Sequence, residues 1–362
     1  MLGVVTDGKP RVFGLDFLRA LAIFFVVHGH GRHFLSGTTF DFIVGAPLPH
    51  GVDIFFVLSG FLIGRTVLRA ADEHAGSAYL RSTFRLYLRT ALRILPNYMV
   101  LLAANYALVA TGVIEGNFDS KPLWRFATLT QNLFTPFYDF FWESWSLPVQ
   151  WWFYLCFPLL VLLFRRWGGL KAALLSALMV IASSLLYRIH VADQAVDYFW
   201  WDVWVRKTVA ARSDSIYYGV LAACLCRYAP DLWHRCRWWC LAAGGVLLLA
   251  ACTIPYEMGS HYVNLLYPSL GPLAFSLMLP ALDHWRQAPP ALSGVTTTVS
   301  LLSYSMFLTN LLAVQLLDTH LSAFASRHGV AAYLLFWLVT LLGTLVLYHL
   351  IERPAMKLRQ RL

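Results

Sequence analysis

Long apolar runs separated by short polar segments dominate the chain, at 14–34, 51–70, 90–112, 145–164, 170–189, 208–226, 238–256, 264–282, 297–317 and 330–351. A helix needs about 20 residues to cross the hydrocarbon core. Each run is therefore long enough for one crossing, and the pattern predicts an all-α integral membrane protein of about ten transmembrane helices. The runs use up most of the length, so 1–362 reads as a single transmembrane domain with no appended soluble domain. The first run contains Arg19 and His30, and no small-residue cleavage site follows it. It reads as a retained helix rather than a removed signal peptide. The longest stretches between runs are 71–89, 113–142 and 190–207, of which the last two form a candidate lid over the outer face. The chain shows no internal repeat.

Composition supports this picture. Of the 362 residues, 59% are hydrophobic and 13% charged, and mean hydropathy is +0.60. A soluble globule and a disordered chain are both excluded. The formal charge of +9 could suggest a nucleic-acid partner, but its placement argues otherwise. With ten crossings both ends share a side, and 19 of the 28 basic residues fall there. Only seven fall opposite: Arg32, Lys121, Arg125, Arg188, Arg206, Lys207 and Arg327. The positive-inside rule makes the first side the cytoplasm, so both termini are expected to be cytoplasmic. The six cysteines form no paired framework and read as buried free thiols. Trp142, Trp145, Trp151, Trp152, Trp200, Trp201 and Trp204 gather near the outer face, either as an interfacial belt or as a platform for sugar rings. The chain has no GxSxG, GxxxxGK[ST] or HExxH, so nothing supports a soluble-hydrolase, ATPase or zinc-protease mechanism. No metal site is expected.

Ionisable residues inside apolar runs are costly and point to function. Arg19 and His30 stand eleven positions apart, three helical turns with about 20° of drift and about 16 Å of rise. They share one face of the first helix, Arg19 towards the inner end and His30 towards the outer. A guanidinium suits a phosphate or a thioester carbonyl; an imidazole suits general-base work on a hydroxyl. The bland alternative is a snorkelling arginine and an interfacial histidine. Asp16 is placed to hold Arg19, and Asp53 to cap the second helix or orient His28 or His30. Arg81, Arg85, Arg89 and Arg93 recur at i+4 as a basic stripe, which suits either lipid headgroups or the phosphates of a donor such as coenzyme A. Glu143, Ser146 and Gln150 share a helix face, and Arg212 and Asn310 lie inside later runs.

In order, these pieces resemble the membrane-bound acyltransferase 3 family, the bacterial sugar O-acyltransferases. The resemblance runs from Leu15 to Pro354. LDFLRALAIFFVVHGH carries an Arg-x10-His pair as Arg19 and His30, and GVDIFFVLSGFLI, LRTALRILPNY, WSLPVQWWFYLCFP, ARSDSIYYGVLAA, LSYSMFLTN and IERP match its later motifs. The resemblance implies a ten-helix bundle in the bacterial inner membrane, with both ends inside. It implies acetyl transfer from cytoplasmic acetyl-CoA, a co-substrate rather than a bound cofactor, to a hydroxyl of a lipid-linked or polymeric surface glycan. The compact form resembles exopolysaccharide-modifying members, such as those acting on xanthan-type repeat units. By carry-over, Arg19 engages the donor with Arg85, Arg89 and Arg93, His30 acts in transfer, and Asp53, Ser59 and Gly60 shape the site. Ser146, Gln150, Arg212 and Asn310 are candidates for acceptor or oxyanion contacts. Gln150 stands where the family usually has Glu, and Asn310 where it usually has His. The rival expectation is a glycan or acyl-carrier transporter that uses the same polar residues as a path.

Overall fold

A computed structural model describes residues 11–46, 50–74, 76–118, 121–254 and 257–361. Lys9, one of the basic residues assigned to the cytoplasmic side by charge, lies outside this set. All regular structure among the described residues is helical. Among the described residues ten helices exceed fourteen residues: α1 Phe13–Gly31, α2 Gly51–Glu73, α3 Gly76–Ala110, α4 Ser146–Phe164, α5 Gly169–His190, α6 Asp214–Tyr228, α7 Arg237–Thr253, α8 Tyr267–His284, α9 Pro290–His320 and α10 Gly329–Leu347. Each overlaps one apolar run.

Eight stretches among the described residues are long and apolar enough to cross a membrane, and the chain reads as a multi-pass membrane protein. The exceptions are instructive. The run 208–226 breaks at Ser213 into a short turn, Val209–Arg212, and α6. Helix α6 carries Asp214 and Arg227 and has only 15 residues. Helix α7 has 17. By contrast, α3 starts well before its run, because its arginine-bearing segment continues the helix.

Helix α6 is central, packed against α2, α5 and α8. Glycine makes its contact with α2 possible: a Cβ on Gly60 would collide with the Ile216 carbonyl oxygen, and one on Gly219 with that of Val57. This is the small-residue packing that substitutes in lipid for a hydrophobic driving force. Helix α1 lies between α9 and α2, and α10 packs on α9. Phe56, Phe61, Phe157, Phe275 and Phe336 fill the interior. Leu163, Leu178, Leu186, Val246, Leu334 and Val346 point outward, an apolar exterior suited to acyl chains. None of the six cysteines is paired, but the expected burial holds only for Cys224; Cys156 is exposed on the apolar face of α4.

Two of the long helices begin or end in a π turn: Tyr262–Leu266 leads into α8, and Tyr348–Glu352 prolongs α10. A third, Asp202–Arg206, lies in the segment before Val209. Such turns insert one residue per helical turn and recur at functional sites.

Candidate active site

Helix α1 presents Arg19 near one end and His30 near the other, and the polar side chains of the neighbouring helices gather around these two points and between them.

At the Arg19 end, Arg11 grips Asp16 with two bonds, of 2.6 and 2.5 Å. This leaves Arg19 only a secondary share of Asp16, through one nitrogen at 3.2 Å that also donates to Ser300 at 3.1 Å. The charges acting on Arg19 are Arg93, Asp16 and Arg11. Two guanidinium groups thus share one carboxylate, with the charge of a third, Arg93, acting on Arg19, an arrangement suited to an anion. Arg93 also acts on Glu352. Glu352 accepts from Ser305 at 2.5 Å and Asn97 at 3.2 Å. The ILPNY, SYSMFLTN and IERP segments therefore meet at one point.

Between the two ends, the Tyr154 hydroxyl lies 3.0 Å from Ser59 Oγ and 3.2 Å from Gln150 Oε1, to which Ser59 also donates at 3.3 Å. Tyr154 in turn is among the groups acting on Arg19.

At the other end, His30 Nδ1 lies 2.5 Å from Asn310 Oδ1. The Asn310 amide nitrogen donates to the Met306 and Phe307 carbonyls, at 3.0 and 2.7 Å. Those two bonds fix which way the amide points, so its oxygen faces the ring. An amide oxygen only accepts, so Nδ1 carries the proton and Nε2 keeps its lone pair. This is the tautomer a general base needs.

The charges acting on the ring are Lys207, Arg206 and Asp202. Asp202 is shared: Arg206 Nε bonds one oxygen, and Lys207 Nζ lies 2.6 Å from the other. Burial alone would raise the Asp202 carboxyl, but Arg206 and Lys207 outweigh it and hold it at about 2. Arg206 also lies over the Trp145 ring, 5.6 Å from its centre, and Lys207 over Trp142 at 4.6 Å.

Asp53 is engaged elsewhere than expected. Its carboxylate pairs with Arg212, which also donates to the Pro268 carbonyl. The histidine beside Asp53 is His50, at 3.9 Å. His28 meets Tyr333 at 2.7 Å instead. With both residues buried, the Asp53–Arg212 pair ties α2 to the turn preceding α6. A second pair, Arg188–Asp214, stands beside it.

The structure therefore joins Arg19 to Asp16 and Ser300, within the influence of Arg93, and His30 to Asn310. Gln150 lies in the middle and Ser146 is buried. Arg85 lies away from Arg19, in a shallow surface pocket of about 270 Å³ with His74, Ala78, Arg81 and Ser82. Arg89 is exposed. The i+4 stripe separates because each step drifts by about 40° on a helix. Sequence reasoning missed the Asp202–Arg206–Lys207 cluster, which had counted only towards topology. Its one local signal was an acidic residue four positions before Arg206. The tryptophans divide too. Trp145 and Trp201 are buried in the interior rather than forming part of a belt.

A sequence profile of the family described as "Acyltransferase domain" matches residues 12–349. The chain is 24% identical to Nodulation protein 10 of Rhizobium leguminosarum bv. viciae, covering 96% of this chain and 94% of that one. A Staphylococcus aureus (strain COL) protein bearing the name "Putative O-acetyltransferase" is 30% identical over 160 residues, 41% of this chain and 24% of that one. A protein of the same description from strain MSSA476 matches to the same extent. No solved structure matches the chain.

Proposed function

The chain belongs to the acyltransferase family whose profile spans residues 12–349, and from that premise we propose that it carries an acetyl group from cytoplasmic acetyl-CoA to a hydroxyl of a surface glycan. Single observations elsewhere in the bundle have structural explanations, but the arrangement along α1 supports a transfer path. A guanidinium cluster stands at one end, a base-ready imidazole at the other, and Ser59, Gln150 and Tyr154 lie between.

In this reading, α1 has its Arg19 end towards the cytoplasm, with both termini on that side of the bacterial inner membrane. The charge distribution supports that orientation. Arg19 and Arg93 hold an anionic or carbonyl part of the donor. His30 Nε2 takes the proton of the acceptor hydroxyl as its oxygen attacks the thioester carbonyl. The tetrahedral intermediate then collapses, the carbon–sulfur bond breaks, and the thiolate leaves with the proton that His30 had taken, which returns the imidazole to its neutral form. The products are a sugar ester and free coenzyme A. Arg212 is held by Asp53, so its part is to position the α2–α6 contact. The acceptor is an envelope glycan, lipid-linked or polymeric, and an exopolysaccharide of the xanthan type is one member of that class.

The test is the acetyl content of the host's surface polysaccharide, read by proton NMR in a deletion strain restored with wild type or with His30→Ala. Acetyl signals should return with wild type only, at equal protein abundance. Full acetylation with His30→Ala overturns the role of His30. Unchanged acetyl in the deletion strain, with polymer export reduced, would replace transfer by transport.

A further inference from the structure

The charges that act on His30 are two cations sharing one carboxylate, Arg206 and Lys207 on Asp202. The ion pairs of this end join three carboxylates, Asp53, Asp202 and Asp214, to four cations, Arg188, Arg206, Lys207 and Arg212, while a fourth carboxyl, Glu143, is buried between Trp142 and Trp145 without a bond to any of them. Arg212 is claimed by Asp53 and Arg188 by Asp214, so Arg206 and Lys207 are left to share Asp202. Among these pairs, one carboxylate therefore serves two cations. Those two side chains are only 20% and 11% exposed and lie against the rings of Trp145 and Trp142. A cation held so far out of water is costly unless an anion joins it.

The surroundings suit a sugar. The Trp142 ring approaches Phe199 at 6.4 Å, and Phe199 meets Tyr138 at 5.7 Å and Trp200 at 5.3 Å. This aromatic surface leads away from the cations that act on His30. Lys207 spends one of its three donors on Asp202 and can re-aim the others, because an ammonium on a flexible stem has no fixed fork.

We propose that Arg206 and Lys207 form an acceptor subsite for a sugar bearing an anionic group, and that Lys207 sets the preference for it. This rests on the acyl-transfer reading and adds the class of acceptor. The anion is a carboxylate on the sugar or a phosphate linked to it; both offer oxygens to the same ammonium and guanidinium.

The experiment uses the full-length protein in lipid nanodiscs with acetyl-CoA. The acceptors are methyl β-glucuronoside, methyl glucoside 6-phosphate and neutral methyl β-glucoside. Wild type should acetylate at least one charged glycoside with a KM about tenfold below that of the neutral one. In Lys207→Gln this ratio should collapse to near one, and Lys207→Arg should restore most of it. The preferred charged acceptor identifies the carboxylate or the phosphate source. Equal KM values for charged and neutral acceptors in wild type overturn the proposal. So does a Lys207→Gln variant that loses activity on all three in equal proportion, since that marks oxyanion stabilisation or a structural role. Quenching of tryptophan fluorescence by the same glycosides gives a readout independent of turnover. If wild type releases no coenzyme A with any acceptor, the transfer reading fails, and quenching alone decides the subsite. Salt-sensitive quenching by a charged glycoside only, lost in Lys207→Gln, sustains it; equal quenching by all three sinks it.

Discussion

At the scale of single residues, the Asn310 side chain has the sharpest consequence. Its amide is locked by two helix carbonyls and presents only an acceptor to His30 Nδ1. Asn310→Leu removes that acceptor, frees the ring to adopt the other tautomer, and should cut kcat by about 10²-fold, within the range a general base supplies. Asn310→Asp can still accept the bond and should retain most activity. An equal loss in both variants would instead point to packing. The pair was half legible in the sequence. Spacing put His30 and Arg19 on one face, and the polar character of position 310 was plain, but contact across 280 residues is set by helix packing. Arg206 and Lys207 were illegible for a related reason. In sequence they are two basic residues in a loop; only the π turn at Asp202–Arg206 and the tryptophans of another segment make them a cluster.

Individual helices were easier to read, because ~20-residue apolar runs have few alternatives in lipid. All ten runs correspond to helices, and the errors lie at ends and breaks. Charge inside a run was the cue that could have flagged α6: Arg212 and Asp214 flank the break at Ser213, and both are buried in ion pairs. The contact between α2 and α6 depends on two glycines whose hydrogens face carbonyl oxygens. Gly60→Ala should therefore force the helices apart and cost about 1–3 kcal/mol, as overpacking does. A lowered thermal midpoint in detergent would report it, and an unchanged midpoint would show that the pair can slide. Because Asp53 and Arg212 tie α2 to the turn that leads into α6, activity should fall along with stability.

For the molecule as a whole, the balance of basic residues carries the orientation. A carboxyl-terminal fusion is expected to stay in the cytoplasm: a fluorescent-protein fusion should glow and an alkaline phosphatase fusion should be silent. The opposite pair of results would reverse α1 and place His30 on the donor's side. Architecture was legible in bulk from the apolar runs, while the site's finer chemistry emerged only where distant segments converge. The clearest convergence is at Glu352, which closes the π turn of Tyr348–Glu352 and accepts from Ser305 and Asn97. Seen as genetics, that turn is a reading-frame device at the level of shape. One codon gained or lost between positions 348 and 352 would rotate everything after it by about 100°, swinging the carboxylate away from two other helices while leaving the chain almost the same length. Variation by insertion is therefore closed to this short stretch, and substitution is the route left open to it.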